Sequence, residues 1–484
     1  MCRNSVAAVT VLAIDQGTSA TKAVVVAPDG EVLSLAEVSI HVEATPDGAV
    51  ELDPEELWAS VLAAGTQALA AAGHPTLTAI GLANQGETVM AWDRSTGSPN
   101  GPAIVWQDRR SEVVCDRVRA HADFLGEHTG LQLDPYFVAP KLVWLRDQVG
   151  DGPTITTTDA WMLHRLCGAF ATDVATAGRS LLLDLDTAQW SDRACEIFGI
   201  DAATLPTVVG NDQPLGDCDL FGGSVPVTGT CVDQQAALFA EHCHQAGEAK
   251  CTYGTGAFML ACTGAQPTRS TNGLVGCPAW RIGTQPTTYC LDGQVYTVGA
   301  AVAWLMEMGI MSEPADLDRL GGAVDGPAGV TFVPALAGLA APYWKPQAKA
   351  AFSGLTLGTE RGHLVRAAIE GIAAQVALLA QAAGRDLGTP LTRLRVDGGL
   401  TRSRVLLQTQ ADLLQAPVEV YPSPHATALG VAAFADLGAN RGSHDRVNAT
   451  SWHPDVLVEP RIGADEAAER LAAWQRVASA TMDL

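Results

Sequence analysis

Asp15-Gln16-Gly17-Thr18-Ser19-Ala20-Thr21-Lys22 stands between two apolar runs, Val9-Thr10-Val11-Leu12-Ala13-Ile14 before it and Ala23-Val24-Val25-Val26 after it, and the turn Pro28-Asp29-Gly30 follows. Two β-branched runs joined by a short polar stretch predict a β-hairpin. Its turn gathers backbone N–H groups, small hydroxyls, a carboxylate and an ammonium, which suits the terminal phosphates of a nucleotide and their metal ion. Taken alone, the same residues are equally an ordinary polar turn, so the reading depends on what surrounds them.

Outward from the hairpin, strand-like runs alternate with helical patterns, which predicts α/β layers. A helix starts at Asp53, a suitable N-cap, with Pro54 at its first position and Glu56 three residues on, and runs to Gly73. The strand Ala79-Ile80-Gly81-Leu82-Ala83 then delivers Asn84-Gln85-Gly86-Glu87 at its end, where α/β sheets place ligand-facing groups. Further on, Val227 to Val232 reads as a strand and Asp233 as a carboxylate at a helix start. Tyr253-Gly254-Thr255-Gly256-Ala257-Phe258 is a second hydroxyl- and glycine-rich turn. Leu394-Arg395-Val396 leads into Asp397-Gly398-Gly399, where a diglycine lets backbone approach a flat ring or a phosphate, and a helical pattern follows from Val405 to Leu414. A last helix is expected from Ala464 to Met482.

The chain has 484 residues, too many for one core, so two large domains are expected. Its 30 Lys and Arg against 53 Asp and Glu leave a net charge of −23, which repels nucleic acid and anionic membrane surfaces. The eleven cysteines are scattered, without a C-x-x-C pair or a Cys/His ladder of zinc spacing, and read as reduced thiols. Met1-Cys2-Arg3-Asn4 opens no apolar signal segment, and no uncharged apolar run reaches the roughly eighteen residues of a membrane span. These features predict a cytoplasmic enzyme with no nucleic-acid or membrane partner.

Read in order, the motifs resemble the FGGY family of carbohydrate kinases, most closely its glycerol kinase branch. They are D-Q-G-T-S at 15–19, N-Q-G-E at 84–87, A-I-V-W-Q-D-R-R at 103–110, D-P-Y-F at 134–137, D-Q-Q-A-A at 233–237, Y-G-T-G-A-F at 253–258, A-P-Y-W at 341–344 and V-D-G-G at 396–399. The carboxy-terminal family signature fits from Ala350 and Phe352 to Ala367-Ala368-Ile369-Glu370; the other is matched at Lys141, Leu142, Trp144 and Gln148 and missed at Val138.

The resemblance implies an actin-like ATPase (ribonuclease H-like) α/β fold, with two domains around a deep cleft. Residues 1–240 would bind mainly the sugar or polyol, and 241–484 mainly ATP. By position, Asp233 would be the general base, and Asp15 would help hold Mg²⁺. Gly17, Thr18, Ser19, Lys22, Thr255 and Gly256 would face the phosphates. Gly299, Ala303, Gly398, Gly399 and Ser403 would line the nucleoside site. Gly86, Glu87, Trp106, Tyr136, Asp233, Gln234 and Phe258 would surround the alcohol. The family also implies a homo-oligomer, a dimer or tetramer.

The departures bear on the substrate. Gly86 stands where glycerol-phosphorylating members place an arginine, removing five donors and much volume, and Lys22 stands where they usually have arginine. Both features resemble relatives that act on longer polyols or ketoses, so glycerol and four- or five-carbon substrates stay open. Ala303, Ser403 and Lys345 replace a glutamine, an asparagine and an aspartate. A nucleotide-driven chaperone would not need the Asp233 and aromatic set. A dinucleotide oxidoreductase would need a G-x-G-x-x-G opening a helix, and none occurs.

Overall fold

The structure, a computed structural model, describes residues 9–45, 48–440 and 452–482. Met1 to Asn4, read above for a signal segment, lie outside the described residues. The opening hairpin forms as expected: Val11–Gln16 and Ala20–Val26 pair antiparallel, with Asp15 opposite Lys22. Val32–Ser39 adds to the hairpin's outer strand, while Ala79–Asn84 and Val225–Val232 extend the sheet in parallel on the other side. Gly216–Cys218 closes that edge.

The second sheet repeats the plan. Ala249–Tyr253, Ala257–Gly264 and Thr288–Val295 form an antiparallel meander, and Leu394–Asp397 and Val418–Val420 add parallel strands beside the first of them. In both sheets, therefore, a hairpin turn and the ends of parallel strands lie at the same place in the topology, 17–19 in one and 254–256 in the other. A crevice at the carboxyl ends of such strands is where α/β sheets take ligands.

Local chemistry explains the elements that aim the site. The helix Pro54–Ala71 begins where expected, with the Asp53 carboxylate accepting from the Glu55 N–H at 2.9 Å. Glu56, three residues after the cap, does not bond back to it; its Oε1 accepts from the His41 N–H at 2.9 Å and ties the helix to the neighbouring loop. Between Gly398 and the helix Arg404–Leu414 lies a 3₁₀ turn, Gly399–Arg402, that the sequence pattern did not show.

Helix Ala426–Ala439 crosses back from the second half to the first sheet, where Val431, Ala432 and Ala435 pack on Val11, Ala13, Val24, Ala79 and Ala83. Small residues permit the approach: a Cβ on Gly81 would lie 2.7 Å from the Val431 carbonyl, and one on Gly430 would lie 1.9 Å from the carbonyl of Ala236 in helix Asp233–Ala240. The long helix Arg361–Leu387 is apolar and long enough to cross a membrane by composition, yet 78% of its most apolar window is buried within the protein. It forms the spine of the second core, with Ile369, Ile372, Val376 and Leu379 at or near zero exposure. All ten described cysteines are unbonded thiols; nine are buried and Cys167 is half-buried.

Candidate active site

The two repeats face each other with their turns and strand ends inward, and three aspartates meet there. Asp15 is the penultimate residue of the first strand, Asp233 opens a helix directly after Val225–Val232, and Asp397 ends Leu394–Asp397 of the second sheet. Burial pushes the Asp15 carboxyl up to about 6, with Lys22 pulling it down and Asp397 pushing it further up. Asp233 is also pushed up to about 6, by burial and by the Asp15 charge, against the pull of Lys250. Burial raises Asp397 as well, with Lys250 opposing. In each case burial is the largest cause, because a carboxylate taken out of water holds its proton more tightly, and for Asp15 and Asp233 a neighbouring carboxylate adds to it. A carboxylate of pKa near 6 is ionised at neutral pH and basic enough to take a proton.

This donor set fits a divalent cation bound mainly by a substrate. Asp397 Oδ1 is buried without a hydrogen-bond partner, and burial raises the proton affinity of Asp15 and Asp233 despite the opposing charges of Lys22 and Lys250. Among the described residues no three His, Cys, Asp or Glu side chains form a cage by themselves. Mg²⁺ characteristically uses one or two carboxylates, water and phosphate oxygens rather than a protein cage.

On one side of the aspartates lies an aromatic pocket. Trp106 packs edge-on against Tyr136 at 5.8 Å and against Phe258 at 5.9 Å, so three of the expected alcohol-site residues touch one another. The Trp106 Nε1–H donates to Thr18 Oγ1 at 2.9 Å, which ties the pocket to the first hairpin turn. Glu87 is buried just beyond Ala79–Asn84 in a left-handed backbone conformation, φ 54°. Burial raises its carboxyl against the pull of Arg179. Gln234 follows Asp233, and its Oε1 accepts from Lys250 Nζ at 2.6 Å. Gly86 is buried, and a Cβ there would meet Val232 Cγ2 at 3.1 Å and nothing else within 4 Å.

On the other side, the start of helix Gly299–Glu307 is bonded to the second turn. The N–H groups of Val298, Gly299 and Ala300 donate to the carbonyls of Thr255, Gly254 and Thr255 at 2.9, 3.0 and 3.1 Å. Thr255 is exposed to the cleft, whereas a Cβ on Gly256 would strike the Val295 carbonyl at 2.5 Å. Gly398 has φ 96°, and a Cβ there would lie 2.4 Å from the Tyr253 carbonyl. Gly399, by contrast, faces open space with nothing within 4 Å of a Cβ. Ala303 is exposed one turn along its helix. Ser403 is buried with its hydroxyl engaged, donating to Asp318 Oδ1 at 2.6 Å and accepting from the Leu406 N–H at 3.2 Å. In the first turn, Gly17 N–H closes onto the Ala20 carbonyl at 3.0 Å and Ser19 is exposed.

Three buried cations at the pocket escaped the reading of the sequence as site groups. Lys250, two residues before Thr252 on one strand face, donates to Thr252 Oγ1 at 2.7 Å as well as to Gln234; that period of two was the available signal. Lys141, noted only as a signature position, has its Nζ on the carbonyls of Pro135, Tyr136 and Phe137, the turn that carries Tyr136. Arg179 pairs with Glu87 and Asp292, and its only trace in sequence is a lone charge in an apolar stretch.

Comparison with known proteins agrees with this geometry. Residues 10–240 match the amino-terminal domain of the FGGY family of carbohydrate kinases, and residues 249–439 match its carboxy-terminal domain. A glycerol kinase of Methylibium petroleiphilum is 41% identical, covering 97% of this chain and 99% of that one. The crystal structure of a Plasmodium falciparum glycerol kinase with ADP superposes with a TM-score of 0.90 at 30% identity, covering 98% of both chains. A gluconate kinase of Lactobacillus acidophilus shares the fold, with a TM-score of 0.88 at 19% identity over 98% of this chain and 99% of that one.

Proposed function

The chain belongs to the FGGY family of carbohydrate kinases, and from that premise we propose that it phosphorylates a primary hydroxyl of a small polyol, glycerol first among them, with Asp233 as general base. The observation that carries the proposal is the position of Asp233. It shares its electrostatic surroundings with Asp15 of the first hairpin, and Gln234 beside it is held by Lys250; the Trp106 to Thr18 bond links the aromatic pocket to that same hairpin. The 41% identity to a glycerol kinase along nearly the whole chain supports glycerol as the first candidate.

In this reading Trp106, Tyr136 and Phe258 wall the carbon skeleton while Glu87 and Gln234 fix its hydroxyls. Asp233 takes the hydroxyl proton as the new O–P bond forms and the bond from the γ-phosphorus to the β-phosphate bridging oxygen breaks, releasing ADP. Thr18, Ser19, Lys22 and Thr255 hold the phosphates, with Gly17 and Gly256 letting backbone approach, and Gly299, Ala303, Gly398 and Gly399 border the nucleoside. Mg²⁺, held through Asp15, would neutralise charge on the phosphate oxygens. Phosphoryl transfer needs placement and charge compensation more than covalent catalysis, so one aimed carboxylate suffices. We assign residues 1–240 to the alcohol and 241–484 to ATP, and expect a cytoplasmic homo-oligomer, a dimer or tetramer.

Gly86 supports a second reading, a four- or five-carbon polyol or ketose, because glycine lacks the bulk and the five donors of the arginine that the glycerol-phosphorylating members this chain resembles place there. A panel of glycerol, tetritols, pentitols and ketopentoses in a coupled assay for ADP release separates the two by kcat/KM. Asp233→Asn should lower kcat by roughly 10²–10⁴-fold with the ATP KM little changed, since it removes a group needed only in the transition state. Turnover near wild type in that variant refutes the assignment.

A further inference from the structure

Arg179 has no part in the chemistry above, yet it is only 3% exposed and sits between the two halves of the molecule. Its Nε donates to Glu87 Oε1 at 2.6 Å, and its Nη1 lies 2.7 Å from Asp292 Oδ2. Glu87 follows a strand of the first sheet, and Asp292 lies within Thr288–Val295 of the second. Gln294 Nε2 donates to the same Asp292 oxygen at 3.0 Å, which anchors the far end. The guanidinium also lies over the rings of Tyr136 and Phe137, at 5.8 and 5.3 Å from their centroids.

These contacts converge on the two pocket residues with the least freedom of their own. Glu87 holds a left-handed backbone conformation that a glutamate keeps only when its surroundings over-determine it. Tyr136 is buried, and its packing partners are Trp106, Phe137 and this cation. A planar fork that meets two carboxylates along fixed directions aims them, whereas an ammonium on a flexible stem does not.

We propose that Arg179 is a positioning residue for the alcohol: by clamping Glu87 to Asp292 and seating Tyr136, it sets the direction from which the carboxylate receives the substrate's hydroxyls. This rests on Glu87 being an alcohol-binding group. Arg179 acts only through its neighbours, and ATP, on the opposite side of the aspartates, is outside its reach.

The test compares Arg179→Lys, Asp292→Asn and Glu87→Gln in the intact enzyme, reading KM for the best polyol of the panel and KM for ATP separately. Arg179→Lys should raise the polyol KM about tenfold or more while the ATP KM stays within about twofold. Asp292→Asn removes the far anchor with little change of shape and should shift the polyol KM in the same direction by less. In a Glu87→Gln background Arg179→Lys should add little, because the group it aims is already lost. If Arg179→Lys melts at assay temperature, Asp292→Asn decides. Variants that leave the polyol KM unchanged, or that raise both KM values together as general loosening does, overturn the proposal. If Glu87→Gln itself leaves the polyol KM unchanged, the assignment of Glu87 fails and the clamp with it; if Glu87→Gln raises it while the other two do not, the clamp alone fails.

Discussion

At the scale of single residues, the acidity of Lys141 is the most informative quantity. Burial pulls its ammonium down to about 8, although Glu87, Asp134 and Asp108 favour the charged form. Below that pH the ammonium satisfies three carbonyls of the turn 135–137; above it the charge and one donor are lost, and the seat of Tyr136 loosens. The polyol KM should therefore rise as pH climbs through about 8 while the ATP KM does not, and Lys141→Met should show the high value at all pH with no inflection. A polyol KM flat from pH 7 to 9 in the wild type would remove this role. The adjacent glycines give a second residue-level test. Gly399→Ala meets nothing in the protein and should leave stability within about 0.5 kcal/mol, so a rise in its ATP KM reports contact with the bound nucleotide itself. Gly398→Ala should instead destabilise, because its φ of 96° and the Tyr253 carbonyl both exclude a side chain. Residues with a motif, such as Asp15, Asp233 and Gly398, were legible in the sequence because turn chemistry dictates their types. Arg179 and Lys250 were not, since a buried cation is recognised by its partners, and those come from other elements: Glu87 and Asp292 for Arg179, and Gln234 of the helix that begins with Asp233 for Lys250.

Among elements, the terminal helix Ala464–Met482 appears with the expected bounds, while the hairpin forms where expected with longer pairing, Val11–Gln16 with Ala20–Val26, because residues 15, 16 and 20–22 join the strands. The return of Ala426–Ala439 to the first sheet was not foreseeable, since its pattern is apolar all round and names no partner. The contact that matters there is between Gly430 and the Ala236 carbonyl. A methyl group at 430 has no room unless the two helices part, so Gly430→Ala should cost roughly 1–3 kcal/mol and shift the helix that begins with Asp233. Thermal denaturation should show the loss, and kcat should fall with it; an unchanged melting temperature would mean the crossing is looser than the structure has it.

For the whole molecule, two repeats of one sheet plan put a glycine- and threonine-bearing turn on each side of a crevice, and the large apolar helix Arg361–Leu387 runs through the core of the second repeat. The fold class was readable because strand and helix periods alternate along the entire chain; the duplication itself was not, because the two halves share topology rather than motif. The same interior has a chemical corollary. Nine thiols sealed in the interior and one at its margin make the enzyme its own stopwatch for opening. In a Cys2→Ser variant, an aromatic disulfide reagent should titrate Cys167 first, and the other nine only as fast as the native packing comes apart. Saturating both substrates should slow that second phase, because ligands that bind only the native state make every opening rarer.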